Sequence, residues 1–321
     1  MFFYLALITC VIAFTINFVL KGKPNIIDDE KVLILGASSG IGKQIALQYA
    51  SRNANIILAA RRTELLEQVK KECLALEKTK VVEVIKCDIT NEDDLIAVVE
   101  KVKKVFGKLN TVIVNAGVIN VLSFEDLLNN DKGIQGKDSD SSKAIDKIFK
   151  INTYGPIYAA KYFIPLLKET QGRFVVVSSL AALIAAPTRA LYASSKHALM
   201  GFFNSLRMEL ADTGVSITLV CPGSVSDTDL RSSAIDKASS SATDNATPVT
   251  ISEDKPKKEK KSLFSFLKIT PAQCAKAIIE ASDWRTKEVV VPRVYKVAVL
   301  ANSLAPSLIE LGAKLKYHFK K

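Results

Sequence analysis

The sequence predicts an α/β domain on a doubly wound parallel sheet of about seven strands, with one transmembrane helix ahead of it. Three observations carry this. Short apolar runs alternate with charged amphipathic stretches, the pattern of a βαβ chain. The first run, Lys31-Val-Leu-Ile-Leu-Gly36, passes straight into a small-residue loop and a helix. Residues 1–20 carry no charged side chain. As a helix they would span about 30 Å, one hydrocarbon core.

Strands are predicted at 31–36, 55–60, 81–85, 111–114, 173–177, 215–220 and 288–291. The first is a continuous apolar run ending at glycine, as buried parallel strands are. Helices are predicted at 41–51 and 63–77, the latter with Leu65, Leu66, Val69 and Cys73 on one side. Asn91 caps a helix running to about Phe106. Further helices cover 144–169 and 191–212. Residues 21–30 are a linker, 31–295 the nucleotide-binding domain, and 296–321 an apolar then basic tail. Two polar stretches, 129–142 and 231–262, read as loops. The second is either a lid over the site or an insertion without a role.

The chain has 321 residues, 48% of them apolar, enough for a sizeable core. The net charge is +11, but the lysines are scattered apart from the run at 255–261. No nucleic-acid-binding signature accompanies them, so nucleic acid is not an expected partner. The five cysteines, Cys10, Cys73, Cys87, Cys221 and Cys274, form no C-x-x-C pair. That argues against a disulfide framework or a zinc site.

No basic residue precedes the apolar N-terminal run, and no clear small-x-small cleavage site follows it. An uncleaved anchor is favoured over a signal peptide. Lys21 and Lys23 after it place the domain on the cytoplasmic side by the positive-inside rule. Near the other end, 297–313 is apolar apart from Glu310 and is interrupted by Pro306, with Lys314, Lys316, Lys320 and Lys321 close behind. Two readings fit equally: an interfacial membrane contact, or a last core or dimer helix.

The loop Gly36-Ala37-Ser38-Ser39-Gly40-Ile41-Gly42 joins the first strand to the first helix. Glycines permit tight turns and close backbone approach, and the helix N-terminus favours phosphate. In this context dinucleotide binding is the better reading than a plain turn. An NAD-binding chain commonly ends its second strand with an acid for the ribose 2′-hydroxyl. Here Ala60 is followed by Arg61 and Arg62, which suit a 2′-phosphate and so NADP(H), against the alternative of a solvated helix start. Asp88, before Ile89, is placed for adenine contact or as a turn residue. Asn115, Ala116 and Gly117 end the fourth strand and either admit the cofactor or pack the sheet end.

Tyr192 and Lys196, spaced i, i+4, face the same way on a helix. A neighbouring cation favours the phenolate, which brings a tyrosine into range for acid/base work. Ser179 ends the fifth strand, where it could bond a substrate carbonyl; Asn152 lies in a helix. For each, a local hydrogen-bond role is the alternative.

Gly36 to Gly42, Asn115-Ala116-Gly117, Asn152, Ser179, Tyr192-Ala193-Ser194-Ser195-Lys196 and Pro222-Gly223 stand in the order and spacing of one family. Over residues 31–291 the chain resembles the short-chain dehydrogenases/reductases. The resemblance implies a Rossmann-type fold, no metal, and hydride transfer at nicotinamide C4. It implies that Tyr192 is the general acid or base. Lys196 would lower the tyrosine pKa and hold the nicotinamide ribose. Ser179 would position the carbonyl, and Asn152 would support a water-linked relay. Family members often carry Pro-Gly-x-Val-x-Thr near the nicotinamide. Here Val225 matches, Asp227 stands at the threonine position and Thr228 follows one later. The pattern looks like the membrane-anchored branch of 11-beta-hydroxysteroid dehydrogenases and keto-lipid reductases. That implies an endoplasmic reticulum membrane, a possible homodimer and a hydrophobic substrate. The candidates are a steroid, retinoid or acyl-lipid ketone, including 3-ketosphinganine and acyl-dihydroxyacetone phosphate. The rival from another class is a non-catalytic NADPH-sensing membrane scaffold, which has no need of all four of Asn152, Ser179, Tyr192 and Lys196.

Overall fold

The computed structural model describes residues 23–129, 140–226 and 267–316. Seven strands form one sheet: β1 Lys31–Leu35, β2 Asn55–Ala60, β3 Val82–Lys86, β4 Thr111–Val114, β5 Arg173–Val177, β6 Ser216–Pro222 and β7 Glu288–Val291. Their spatial order is β3-β2-β1-β4-β5-β6-β7, all parallel. The chain therefore winds outward from β1 in one direction and, after β3, from β4 in the other. That reversal opens a crevice beyond the carboxyl ends of β1 and β4.

Alternation along the strands fills both faces, since successive side chains point to opposite sides. Leu33 and Leu35 pack with Ile57, Val112, Phe174 and Val176 on one face. Val32 and Ile34 pack with Ile56, Leu58, Ile113 and Val175 on the other. The first face is covered by α3 (Glu92–Phe106), α6 (Gly155–Thr170) and α7 (Ala190–Glu209), which supply Val98, Phe163 and Phe203. The second is covered by α1 (Gly40–Ala50), α2 (Thr63–Leu74) and α8 (Pro271–Asp283), which supply Ile45, Val69 and Ile278. Asn91 caps α3 as its position predicts, accepting from the N–H groups of Asp93 and Asp94.

The long helix expected over 144–169 is present, running without a break from Asp140 to Thr170 with a π-turn inside it. Residues Phe124–Asn129 form a short α4, Asp140–Phe149 form α5, Lys150–Tyr154 a π-turn, and α6 follows. The expected loop 129–142 thus ends at Asp140, and 130–139 lie outside the described residues. The helix α8 was not foreseen, although its start is written in the sequence. Thr270 and Gln273 form a reciprocal capping box, with Pro271 in the first turn. After β7 the chain forms α9 (Tyr295–Leu304) and α10 (Pro306–Lys316), split where Pro306 interrupts the apolar run. No helix among the described residues is long and apolar enough to cross a membrane. Residues 1–20 and the expected loop 231–262 fall outside the described residues.

Candidate active site

The crevice holds a cavity of about 340 Å³ that reaches from the glycine loop to Tyr192. The loop is shaped by close backbone contacts. Gly36 has φ +90°, and a Cβ there would lie 2.6 Å from the Ala116 nitrogen. A Cβ on Gly42 would lie 2.0 Å from the Gly36 oxygen. Asn115 Nδ2 donates to that same oxygen at 2.9 Å, tying the end of β4 to the loop. Ser39 is the N-cap of α1, yet no side chain caps the helix. Instead Arg62 Nη2 donates to the hydroxyls of Ser38 at 3.1 Å and Ser39 at 2.8 Å. A guanidinium thus lies against the glycine turn, and Arg61 lines the cavity beside it. Tight glycines, a helix N-terminus without a side-chain cap and this cation together fit a dinucleotide.

Asp88 lines the cavity, but it is also a turn residue: its Oδ1 accepts from Thr90 N at 2.9 Å and Thr90 Oγ1 at 2.8 Å. Ile89 beside it is buried and also lines the cavity. On the far wall, Pro222, Gly223 and Val225 follow β6. Val225 bridges to Ile269, and Gly223 lies so near the Tyr295 ring that a Cβ would come within 2.3 Å of it. Thr228 and Asp227 lie outside the described residues.

Tyr192 and Lys196 are on the buried side of α7 and line the cavity. Burial pushes the Tyr192 phenol above its ordinary value; a hydrogen bond with Ser179 and the positive charge of Arg189 oppose that rise. Burial also pushes the Lys196 amine down to about 8. Its Nζ donates to the Val177 carbonyl at 3.1 Å. The groups acting downward on Tyr192 are Ser179 and Arg189, while Lys196 is turned to the end of β5.

Asn152 sits in the π-turn, a helix defect that frequently marks functional positions. It is fully buried, and its amide pairs with both backbone groups of Val118 at 2.9 Å. Its Nδ2 also donates to Ser195 Oγ at 3.1 Å, and Ser195 donates to the Tyr192 carbonyl at 2.8 Å. Asn152 therefore holds the chain after β4 against α7. A Cβ on Gly117 would meet Asn152 Oδ1 at 3.3 Å and Lys196 Nζ at 3.5 Å, so that glycine lies between the two polar heads. Sequence reasoning missed Tyr295, for which no local signal exists, and Arg189, whose spacing three residues before Tyr192 was readable.

The short chain dehydrogenase family model matches residues 30–239. The chain belongs to that family. As a short chain dehydrogenase it is an oxidoreductase of hydroxyl and carbonyl groups. It is 32% identical over 286 residues to 11-beta-hydroxysteroid dehydrogenase 1A of Arabidopsis thaliana, covering 89% of this chain and 75% of the relative. It is also 32% identical to dehydrogenase/reductase SDR family protein 7-like of Dictyostelium discoideum, covering 91% and 83%. Among solved structures, a short chain dehydrogenase/reductase of Burkholderia phymatum in complex with NAD superposes with TM-score 0.68 at 20% identity, over 88% of this chain and 96% of that one. An alcohol dehydrogenase of Thermococcus sibiricus complexed with 5-hydroxy-NADP gives 0.63 at 23%, over 83% and 97%. These two likenesses show that this short chain dehydrogenase shares the fold.

Proposed function

We propose that the chain is an NADP(H)-dependent oxidoreductase that interconverts a carbonyl and a hydroxyl on a hydrophobic substrate. The observation that carries this is the meeting of Tyr192, Ser179 and Lys196 at one end of a cavity whose other end is the glycine loop with Arg62 against it. When bound, the nicotinamide dinucleotide supplies or accepts the hydride. Gly36, Gly40, Gly42 and the N-terminus of α1 would take its pyrophosphate, with Arg61 and Arg62 at the 2′-phosphate. In reduction, Tyr192 gives its phenolic proton to the carbonyl oxygen; in oxidation the phenolate takes it back. Ser179 donates a hydrogen bond to the same oxygen. Lys196 would hold a ribose hydroxyl, and Asn152 fixes α7 in place.

The proposed substrates are a steroid, retinoid or acyl-lipid ketone, following the likeness to hydroxysteroid dehydrogenases. Membrane attachment by residues 1–20, in the endoplasmic reticulum with the domain on the cytoplasmic side, would deliver such a substrate. The helices α9 and α10 add a second contact. Leu300, Leu304, Leu308 and Leu311 are exposed by 56–78%. Lys296 and Lys314 flank them, as a helix pair seated on an anionic lipid surface would be. NADPH oxidation by the detergent-solubilised protein across steroid, retinoid and keto-lipid carbonyls tests the reading, with NADH and Tyr192→Phe as controls. Turnover that requires Tyr192 and prefers NADPH supports it. Equal turnover by Tyr192→Phe overturns the catalytic part, and binding of NADPH with no turnover of any class favours the scaffold.

A further inference from the structure

The start of α7 is built from an uncommon residue pair. Thr188 has φ 62°, in the left-handed region that β-branched residues avoid. Arg189 follows as the N-cap, and its carbonyl accepts from Ala193 N at 2.7 Å, so it is in register with the helix. Its Nη1 donates to Thr188 Oγ1 at 2.7 Å and to the Thr188 carbonyl at 3.3 Å. The residue is only 9% exposed. A guanidinium is seldom held so far from water, because its desolvation is costly. Positions 189, 192 and 196 lie along one face of a helix. Arg189 and Lys196 therefore flank Tyr192 along the helix, and the Lys196 amine donates to the Val177 carbonyl.

We propose that Arg189 is a positioning residue for proton transfer at Tyr192, a fixed guanidinium one turn before the phenol whose charge favours the phenolate. The proposal rests on the reading of Tyr192 as the acid and base. Among the described residues the ionisable groups acting on the phenol are Arg189 and, from β6, Cys221, with the Ser179 hydroxyl also acting downward on it. Burial pushes the Cys221 thiol up to about 12, so it stays neutral in the working range. Lys196, pushed down to about 8, changes charge near that range. A guanidinium does not. Arg189 thus supplies the positive charge that persists when Lys196 has lost its proton.

Ultraviolet titration of tyrosinate in the full chain, saturated with NADP+, tests this without a known substrate. The difference between the Arg189-intact protein and its Tyr192→Phe variant follows that one phenol. Arg189→Gln should move the midpoint upward by about one pH unit, a tenfold loss of phenolate at a fixed pH below it. Arg189→Lys should return the midpoint most of the way. Should Arg189→Gln not fold, Thr188→Val removes the hydroxyl anchor and keeps the charge; it should raise the midpoint by a few tenths of a unit. An unmoved midpoint in the neutral variant, or in Thr188→Val where that must stand in, overturns the proposal. So does a lysine variant shifted as far as the glutamine one. The two levels separate cleanly. Normal turnover by Tyr192→Phe sinks the reading of Tyr192, whereas an inactive Tyr192→Phe with an unmoved Arg189→Gln midpoint sinks the role of Arg189 alone.

Discussion

Gly42 and Gly36 meet backbone to backbone: a Cβ on Gly42 would lie 2.0 Å from the Gly36 carbonyl oxygen and 2.8 Å from Asn115 Nδ2. The first neighbour is backbone, and the second is the Asn115 amide that itself holds the loop. Gly42→Ala must push α1 off β1 and open the phosphate turn. Its NADPH affinity should fall at least tenfold, about 1.4 kcal/mol, in a fluorescence titration. Gly201→Ala is the matched control. Nothing lies within 4 Å of a Cβ there. In a helix interior that change should stabilise by up to about 1 kcal/mol and leave cofactor affinity unchanged.

Arg62 reaches back from the start of α2 to the hydroxyls of Ser38 and Ser39. If it takes the 2′-phosphate, Arg62→Ala removes a charge-assisted hydrogen bond worth about 1.5–3 kcal/mol. The dissociation constant for NADPH should rise ten- to a hundredfold while that for NADH changes little. Parallel loss of both cofactors would mean that Arg62 braces the loop and does not select between them.

At the opposite end of the sheet, Arg173 is fully buried and pairs with Asp283 at 3.0 Å and Glu30 at 3.4 Å. It also donates to the Asn25 carbonyl, and Arg52 meets Asp283 at 2.9 Å. Burial raises the Glu30 carboxyl and Arg173 opposes that rise. Arg173→Met leaves two buried acids without their shared cation. Breaking one side of such a cluster costs about 3–5 kcal/mol, to be read from urea unfolding. At temperatures where the variant stays folded, cofactor affinity should be unchanged, because the cluster lies at the strand ends away from the cavity.

The exposed leucines of α9 and α10 give the membrane proposal a separate test. Changing Leu300, Leu304 and Leu308 to glutamine removes apolar area without touching the cavity. With residues 1–20 intact, the variant should still float with anionic vesicles but bury less of α9, seen as weaker quenching of a probe at position 297 by lipid-borne quenchers. Unchanged quenching would mean that this face does not contact lipid.

The sheet was readable because each strand is a run of apolar residues bounded by small or polar ones, and six of the seven agree within one residue at both predicted ends. The glycine loop, Ser179 and the Tyr192–Lys196 spacing were readable as local patterns, and the structure brings them round one cavity. The π-turn at Lys150–Tyr154 was not, since its residues continue the helical periodicity on either side. Nor was the contact of Gly223 with Tyr295, which joins residues 72 positions apart that meet only after β7 has paired with β6. The direction in which Lys196 turns depends on packing at the end of β5, which no spacing rule encodes.

Lys196 carries a stability cost that pH should reveal. Burial holds its folded amine at about 8, below the 10.5 of an unperturbed lysine. Between those values the unfolded chain binds the extra proton, so stability rises with pH through this window and the cost is fully present below it. Lys196→Met removes the buried charge but leaves the Val177 carbonyl without its donor, an offset of about 1 kcal/mol. The net change at pH 7 is therefore smaller than the pH dependence. The informative quantity is the stability difference between variant and parent, measured by urea unfolding from pH 7 to 10. It should shift by about 1–3 kcal/mol in the parent's favour across that range, while the variant shows no carbonyl turnover at any pH. A difference that stays flat would mean that the folded amine titrates as an ordinary lysine, and Lys196 would then carry its charge throughout the working range.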